Sequence, residues 1–244
     1  MKQIKKNSWL IKVPIAHRGL HTCDNIIPEN SLAAFENAIS NNYAIELDIQ
    51  LSKDNEIVVF HDFNLKRLCN IHKNVNELNL SELKKINLAN SNEKIPTLAE
   101  VLNFVNDKVP LLIEIKNETL SNILESKLDI LLRSYKGRFA IQSFNPKSLN
   151  WFYKNNKEIT RGQLSYSFYD EKLNFVKKFL LKNMFYNFLS HPHFIAYGIE
   201  DLPNARVKKL RKKMPILSWT INSSSKLKKA KLFCDNIIFE CIKL

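Results

Sequence analysis

The chain of 244 residues is long enough to bury one large core or two small ones, and we expect a single domain over residues 1–244. Its 37 basic residues outnumber 24 acidic ones and give a net charge of +13, which suits an anionic partner, but the lysines are scattered and favour a bias of composition. The basic N-terminus has no sufficient apolar stretch, since Lys12 interrupts it, and this argues against a signal peptide or a membrane-spanning helix.

In chain order, the first half predicts strands near residues 13–16, 44–49, 57–60 and 110–115, and helices near 32–41, 96–106 and 119–134. Asn30 or Ser31 can cap the first of these helices. The turn at 53–55 leaves no room for a helix between the second and third strands. Residues 63–95 are polar with short helical patterns, and we interpret them as an insertion on the rim where substrates are selected.

The second half predicts strands near 138–142, 159–165, 193–197, 215–219 and 236–239, and helices near 146–156, 203–212 and 224–232. Residues 170–189 form a basic, aromatic-rich amphipathic pattern. We interpret it as an outer helix that packs its apolar face on the core. The alternative is a helix that lies in the interface of an anionic membrane.

Cysteine usage bears on the compartment of the protein. The sequence contains four cysteines without CxxC spacing: Cys23, Cys69, Cys234 and Cys241. This pattern predicts reduced thiols that serve mostly in packing. Together with the absence of a leader pattern, it predicts a cytoplasmic protein.

Charged clusters follow apolar, strand-like runs in the first part of the chain. They are His17-Arg18-Gly19, Glu46-x-Asp48 and His61-Asp62. Parallel buried strands are near-continuous apolar runs, and ligands bind at their carboxyl ends. One such cluster alone is weak evidence, because it usually marks a solvated strand edge. Several in succession indicate a functional site.

The spacing of Glu46 and Asp48 adds chemistry to this pattern. Residues i and i+2 of a strand point to the same face, so the two carboxylates converge. Like charges this close require a cation or a proton. Hard oxygen ligands suit Mg²⁺ or Ca²⁺ better than zinc. Glu114 and Lys116 repeat the spacing and add a third carboxylate and a positive charge.

The motifs resemble those of the glycerophosphodiester phosphodiesterases, a TIM-barrel family. The matching segments are HRG at 17–19, PENS at 28–31, AAF at 33–35, ELD at 46–48, KDN at 53–55, VVFHD at 58–62, Leu65 with Arg67, IPTLAEVL at 95–102, LLIEIK at 111–116, QSF at 142–144 and WTIN at 219–222. The resemblance implies an α/β fold, a (β/α)8 TIM barrel with a small insertion after the third strand. Nine candidate strands exceed the eight of such a barrel, so one must be short or lie outside it.

The resemblance also implies roles for individual residues. Glu46, Asp48 and Glu114 would hold a divalent metal, Mg²⁺ or Ca²⁺. His17 and His61 would act as general acid and base, in an order that stays open. The residues expected to bind the substrate are Arg18, Lys116 and Trp219. Trp219 could equally be a core residue.

The activity implied is hydrolysis of glycerophosphodiesters to sn-glycerol 3-phosphate and an alcohol. The nucleophile is either the neighbouring glycerol hydroxyl, which gives a cyclic phosphate, or water. We expect a small-molecule substrate and no nucleic acid, since no RNA-binding signature accompanies the charge. The alternative is a lysophospholipase D acting on lysophospholipids at a membrane surface. A catalytically inactive barrel is disfavoured, because no candidate catalytic residue is missing.

Overall fold

The computed structural model describes residues 4–5, 8–117, 121–169, 172 and 174–244. The chain divides into two compact units, Ala16–Phe139 and the combination of Met1–Ile15 with Ala140–Leu244. Both units alternate strands with helices. The fold class is the (β/α)8 TIM barrel, which confirms the prediction. The single-domain organisation stays a prediction.

The strands of the described residues are β1 (Ile15–Ala16), β2 (Ala44–Leu51), β3 (Ile57–Val59), β4 (Leu111–Ile115), β5 (Phe139–Ser143), β6 (Arg161–Ser165), β7 (Phe194–Gly198), β8 (Ile216–Ile221) and β9 (Asn236–Phe239). The helices are α1 (Trp9–Lys12), α2 (Leu32–Ser40), α3 (Lys66–Cys69), α4 (Leu80–Leu83), α5 (Leu98–Val105), α6 (Ile123–Ser134), α7 (Pro146–Asn155), α8 (Phe175–Lys182), α9 (Asn187–Ser190), α10 (Ala205–Arg211) and α11 (Ser224–Phe233). Short 3₁₀ helices lie at Val75–Glu77 and Ile199–Asp201.

Of the nine strands in the described part of the chain, β3 is the one that does not belong to the eight-stranded barrel. Within the unit Ala16–Phe139, β2 pairs in parallel with β4 but antiparallel with β3, with Ile49 opposite Val59. The turn at 53–55 is therefore the tip of a hairpin. The expectation that the run before His61 is a parallel strand is wrong. An apolar run has the same sequence pattern in either direction, so the short connection is the only signal of the hairpin.

The segment 63–95 is an ordered excursion with a small core of its own. Its buried side chains pack against Val58 and Phe60 of the β3 region. They are Leu65, Leu68, Val75, Leu78, Leu83, Leu88 and Ile95. Reciprocal side-chain to backbone bonds cap its short helices, Asn74 with Glu77 and Asn79 with Glu82. This packing gives the insertion a defined surface despite its polar sequence.

The second unit contains a run of neighbouring parallel strands. β6 pairs with β5 and β7, and β8 pairs with β7 and β9. Strand residues of β7 are fully buried, as a parallel sheet with helices on its face requires. The helices α7, α10 and α11 alternate with these strands.

The predicted outer helix at 170–189 is wrong in two respects. Residues 170, 171 and 173 lie outside the described residues, and the remainder forms α8 and α9 with a turn at 183–186 between them. No residue of α8 is buried: Leu180 and Leu181 are half-buried, whereas Phe175, Val176 and Phe179 are exposed, so the core does not cover the apolar face. An amphipathic pattern shows that one face is apolar, but it does not show what covers that face.

The cysteines differ partly from the prediction. Cys69 and Cys234 have free thiols, whereas Cys23 and Cys241 are disulfide-bonded. The prediction of four reduced cysteines is therefore wrong for two of them, and cysteine spacing no longer supports a reducing compartment. Separately, none of the helices in the described ranges combines the length and apolar character needed to cross a membrane.

Candidate active site

The neighbouring strands β2 and β4 carry the three carboxylates that were expected to bind a metal. Asp48 lies opposite Glu114 in the register of these strands, and Glu46 precedes Asp48 by two residues. One oxygen of each carboxylate lies within 4.8 Å of the others, and all three side chains are buried. Because β2 continues to Leu51 as part of the hairpin, Glu46 and Asp48 lie in the middle of the strand and not beyond its end.

Burial of three carboxylates in one cluster changes their pKa values. Burial raises the pKa of Glu46 well above its ordinary value, and the charges of Asp48 and Glu114 raise it further. Burial raises the pKa of Glu114 too, against the opposing charge of Lys116. Burial would raise the pKa of Asp48, but the charges of His61 and Lys116 help to lower it below the ordinary value. A cation would relieve the repulsion that keeps a proton on Glu46.

The turn after β1 brings the backbone of Arg18 to this cluster. Arg18 has a left-handed conformation with φ 54°, and its N–H donates to Glu46 Oε2 at 2.9 Å. Gly19 follows with φ 80°, and a Cβ there would lie 2.9 Å from side-chain atoms of Ala34 and Phe35. A glycine is therefore required for the turn that aims Arg18 inward.

The guanidinium of Arg18 lies among carboxylates. Its Nη1 donates to Glu29 Oε1 at 2.8 Å, and its Nε lies 3.6 Å from Asp48 Oδ2. Burial would lower its pKa, but the charges of Asp48 and Glu29 raise the pKa above its ordinary value. Within the described part of the chain, the buried Nε has no hydrogen-bond partner. This N–H is suited to a phosphate oxygen.

Glu29 and Asn30 belong to the site although neither is among the predicted site residues. Asn30 Nδ2 donates to Asp48 Oδ2 at 3.0 Å, and the Asn30 N–H donates to the carbonyl of Arg18 at 2.9 Å. Ser31 then caps α2 by accepting from the N–H of Ala34, as one of the two predicted alternatives requires. The PENS motif contains both site residues, but a polar pair before a helix is usually a cap. Their burial is visible only in the structure.

Lys116 follows β4 and supplies the second positive charge. Its Nζ lies 3.5 Å from Glu114 Oε1 and 3.8 Å from Asp48 Oδ1. The same Nζ lies 5.7 Å from the centre of the Phe63 ring. Burial would lower the pKa of Lys116, but the charges of Glu114 and Asp48 raise the pKa above its ordinary value. Lys116 therefore stays charged beside the cluster.

His61 reaches the cluster because β3 returns beside β2. The N–H of Phe60 donates to the carbonyl of Asp48 at 3.0 Å, so His61 follows at the level of the carboxylates. Its Nδ1 lies 2.6 Å from Asp62 Oδ1. Burial would raise the pKa of Asp62, but bonds to His61 and Arg67 lower it below its ordinary value. An ionised Asp62 can only accept, so Nδ1 carries the proton and Nε2 is left for chemistry.

Arg67 connects Asp62 to Glu29. Its Nε donates to Asp62 Oδ2 at 2.7 Å, and its two Nη atoms donate to the Glu29 carboxylate at 2.6 and 2.9 Å. Glu29 therefore binds Arg67 and Arg18 together. Asp62 and Arg67 lie in the motifs that carry the family resemblance, yet nothing in the sequence assigns them to each other.

The predicted site residues lie in both compact units. The structure brings together, within one unit, Arg18, Glu46, Asp48, His61, Glu114 and Lys116. His17 lies half-buried in the turn before Arg18. Trp219 lies in β8 of the other unit, with ring centres 5.5 Å from Phe144 and 5.8 Å from Tyr166. Its indole Nε1 is buried without a hydrogen-bond partner among the described residues.

A pocket of about 730 Å³ opens beside His61. Its lining residues are His61, Asp62, Phe63, Asn64, Lys66, Arg67, Asn70 and Lys116. The volume suits a small ligand. Three of the lining side chains are cationic, and most of the lining belongs to the insertion at 63–95. The insertion therefore forms part of a site for an anionic ligand.

The donor set fits a divalent metal ion. Glu46, Asp48 and Glu114 offer convergent, buried carboxylate oxygens, which hard cations prefer. The pKa of Glu46 is raised first by burial and then by the charges of Asp48 and Glu114, and a cation between the carboxylates would oppose both effects. These three residues could therefore hold a metal ion.

Comparisons with known proteins agree with the motifs. The model of the glycerophosphoryl diester phosphodiesterase family matches residues 17–240. YhdW of Bacillus subtilis strain 168 is 31% identical over 219 residues, which are 86% of this chain and 86% of that protein. The glycerophosphodiester phosphodiesterase structure from Thermotoga maritima has a TM-score of 0.72 at 26% identity and covers 93% of this chain and 94% of that chain. These similarities confirm the predicted resemblance.

Two further similarities concern ligands and substrates. An Oleispira antarctica phosphodiesterase, solved in complex with the product sn-glycerol-3-phosphate, has a TM-score of 0.78 at 23% identity and covers 95% of this chain and 94% of that chain. Lysophospholipase D GDPD1 of Rattus norvegicus is 31% identical over 174 residues, which are 65% of this chain and 53% of that protein. This chain spans about half the length of that relative.

Proposed function

We propose that this chain, which belongs to the glycerophosphoryl diester phosphodiesterase family, hydrolyses deacylated glycerophospholipids to sn-glycerol 3-phosphate and an alcohol. The observation that carries the proposal is the buried cluster of Glu46, Asp48 and Glu114 beside the cations of Arg18 and Lys116. The cluster combines a metal-binding donor set with side chains that bind phosphate oxygens.

Glu46, Asp48 and Glu114 hold a divalent cation in this proposal, Mg²⁺ or Ca²⁺. When bound, such an ion polarises the phosphoryl group and lowers the pKa of an oxygen nucleophile. The three carboxylates carry three negative charges, and Arg18 and Lys116 carry two positive charges. The remaining formal negative charge would repel a phosphodiester. A divalent ion reverses the sign of the net charge, so that the loaded cluster attracts the phosphodiester anion.

Arg18 and Lys116 bind the non-bridging phosphate oxygens. Arg18 Nε is a buried donor without a protein acceptor in the described ranges, and the bond from Nη1 to Glu29 fixes the plane of the guanidinium. Lys116 contributes a point charge that its two carboxylate neighbours keep protonated. We also propose Trp219 as a substrate-binding residue, since its buried indole Nε1 has no hydrogen-bond partner among the described residues.

His17 and His61 transfer protons in the proposed reaction. One accepts the proton of the attacking hydroxyl, and the other donates a proton to the alkoxide that leaves phosphorus. Asp62 accepts a hydrogen bond from Nδ1–H of His61, which leaves Nε2 as the atom that exchanges the proton with the substrate. If the C2 hydroxyl of glycerol attacks, a cyclic phosphate forms and water then opens it; if water attacks, the products form directly. A substrate with hydrogen in place of the C2 hydroxyl distinguishes the routes, because only the direct route cleaves it.

The test is release of sn-glycerol 3-phosphate from glycerophosphocholine and glycerophosphoethanolamine with Mg²⁺, with Ca²⁺ and with EDTA. We expect release with one or both metal ions and none with EDTA. Release that is equal in EDTA would contradict the metal site. No release under any condition would contradict the substrate class. The Glu46→Gln variant serves as a control for contaminating phosphodiesterases.

A second candidate activity is that of a lysophospholipase D, with the same site and a lysophospholipid as substrate. It is favoured by similarity to the rat enzyme of that name over 65% of this chain, and by exposed aromatic side chains such as Phe175. The discriminating measurement compares lysophosphatidylcholine with glycerophosphocholine at equal concentration. Cleavage of lysophosphatidylcholine alone would establish this alternative. We further propose a cytoplasmic enzyme of one domain that has no nucleic acid partner.

A further inference from the structure

A group of large aromatic side chains is exposed on the unit that contains α8. Tyr169 is 72% exposed, Phe175 81%, Phe179 50% and Phe185 44%. Rings of this size are mostly buried in folded proteins, and clustered exposed apolar groups mark interaction sites. We call these four residues the aromatic patch.

The aromatic patch is continuous. Tyr169, Phe175 and Phe179 line one pocket of about 420 Å³ together with Ser167, Lys178 and Lys182. The ring of Phe179 stacks on that of Phe185, with 5.8 Å between ring centres. The exposed rings therefore form one surface and not scattered points.

Two lysines border the patch in fixed positions. Lys178 Nζ donates to the carbonyl of Tyr169 at 3.0 Å, and Lys182 Nζ lies 5.2 Å from the centre of the Tyr169 ring. The guanidinium of Arg206 lies 5.5 Å from the centre of the Phe185 ring. At lipid headgroups, proteins commonly place the apolar stems of lysine and arginine side chains along aromatic rings, with the charged ends at the headgroups.

The charge around the patch has a single sign over a long segment. The sequence from Lys172 to Ile199 contains no acidic residue, and it contains the lysines Lys172, Lys177, Lys178 and Lys182. The acidic residues Asp170 and Glu171 precede this segment and lie outside the described residues. A partner that contacts α8 would therefore meet positive charge around apolar rings.

The geometry of α8 suits a partner that is flat. At a helical rotation of 100° per residue, Phe175, Lys178, Phe179 and Lys182 lie on one face. The eight residues of α8 are about 12 Å long, far less than the roughly 30 Å of a bilayer core. A helix this short with this face lies in an interface and does not cross it.

We propose that the aromatic patch docks on the surface of an anionic phospholipid bilayer, with its rings among the acyl chains and Lys178 and Lys182 at the phosphates. The positive charge of the patch favours an anionic bilayer over a second copy of the chain as its partner. In a symmetric dimer through the patch, the lysines of both copies would face one another and repel. An anionic bilayer neutralises them and covers the rings at the same time.

Binding to vesicles tests the proposal without reference to turnover, so its failure and a failure of the catalytic assignment are distinguishable. The full-length chain is sedimented with vesicles of phosphatidylcholine alone and of phosphatidylcholine mixed with phosphatidylglycerol. We expect binding to the mixed vesicles that weakens as salt concentration rises. No binding to the mixed vesicles would overturn the proposal.

Two variants of the patch separate its contributions. Lys178→Gln with Lys182→Gln should weaken binding roughly 25-fold, since each lysine near an anionic surface contributes about fivefold. Phe175→Ser with Phe179→Ser should weaken it roughly tenfold or more by removing buried apolar area. Both should unfold at the wild-type Tm, which shows that they fold whether or not the chain hydrolyses glycerophosphocholine.

A matched control lies on α11, which is also basic and exposes Leu232 to 71%. Lys228→Gln with Lys231→Gln changes net charge by the same amount as the patch variant, and Leu232→Ser removes an exposed apolar side chain. These controls should bind as the wild type does. Equal loss in patch and control variants would mean that net charge alone drives binding and would overturn the proposal. So would patch variants that retain binding or change only the oligomeric state.

Discussion

Asp48 and Glu114 lie opposite each other in the parallel register of β2 and β4, and the Nζ of Lys116 lies within 3.8 Å of a carboxylate oxygen of both. The two carboxylates nevertheless differ in pKa. The pKa of Glu114 is raised, chiefly by burial, whereas surrounding cations lower that of Asp48 despite its burial. Asp48 is thus the carboxylate of the pair whose surroundings favour the ionised form.

Substitution of a proposed metal ligand should abolish turnover without unfolding the protein. Glu46→Gln and Asp48→Asn keep the side-chain shape but remove charge, so the metal ion loses a ligand while the packing persists. We expect loss of metal-dependent hydrolysis and weaker binding of Mg²⁺ or Ca²⁺, measured by calorimetry.

A matched control is Glu56→Gln, which removes an exposed carboxylate whose partner is Lys127 at 3.2 Å. It should bind metal and turn over as the wild type does. Wild-type metal affinity in both Glu46→Gln and Asp48→Asn would refute the ligand assignment.

Removal of the metal should make stability depend on pH through Glu46. The pKa of Glu46 in the fold is raised above its ordinary value of 4.5, chiefly by burial, so the folded protein binds this proton more tightly than the unfolded chain. The contribution of this group to stability is complete below about pH 4.5 and is lost as pH rises through the folded pKa. In EDTA, the Tm of the wild type should therefore fall relative to that of Glu46→Gln as pH rises.

The metal ion should reverse this trend. A divalent cation favours the ionised form of Glu46, so the rise in Tm on adding Mg²⁺ or Ca²⁺ should grow with pH. Thermal unfolding between about pH 5 and 9 with metal and with EDTA measures both effects. A metal-induced shift in Tm that is independent of pH would show that no proton leaves the cluster on binding.

Much of this site is predictable from short-range patterns. The i, i+2 spacing places Glu46 and Asp48 on one face of β2, and the apolar runs predict the strands that carry them. Gly19 is required by the close approach of Ala34, which the HRG motif signals without explaining. Spacing rules suffice here because each feature depends on neighbours in sequence.

Features that depend on residues far apart in the chain cannot be predicted from sequence patterns. Arg67 and Glu29 are separated by 38 positions, and no periodicity pairs them. The direction of β3 depends on the hairpin at 53–55, because its apolar run fits either direction. The exposure of α8 is invisible for a similar reason, since its amphipathic pattern does not identify what covers it.

Removal of either catalytic histidine should lower kcat by roughly 10²–10⁴-fold, the usual contribution of general acid–base catalysis. The variants are His17→Ala and His61→Ala, with release of sn-glycerol 3-phosphate as the readout. His72→Ala is the matched control, because His72 is exposed on the insertion at 63–95. It should have a wild-type rate. Near-wild-type rates in both His17→Ala and His61→Ala would refute the two-histidine mechanism.

The last prediction concerns Asp62 and Arg67 as positioning residues. Asp62 accepts from Nδ1 of His61 at 2.6 Å and from Nε of Arg67 at 2.7 Å. Asp62→Asn should let the His61 ring take the other tautomer, which removes the acceptor or donor needed at Nε2. We expect kcat to fall about 10- to 100-fold, the usual cost of losing such an orienting partner, with a smaller change in KM.

Thermal stability and rescue distinguish this role from a structural one. Arg67→Met should have a similar but smaller effect on kcat, and Arg67→Lys should restore only part of it, since lysine cannot bridge Asp62 and Glu29 with a planar fork. A fall in the Tm of Asp62→Asn that parallels its loss of kcat, and full recovery in Arg67→Lys, would show that the network serves only to hold the fold.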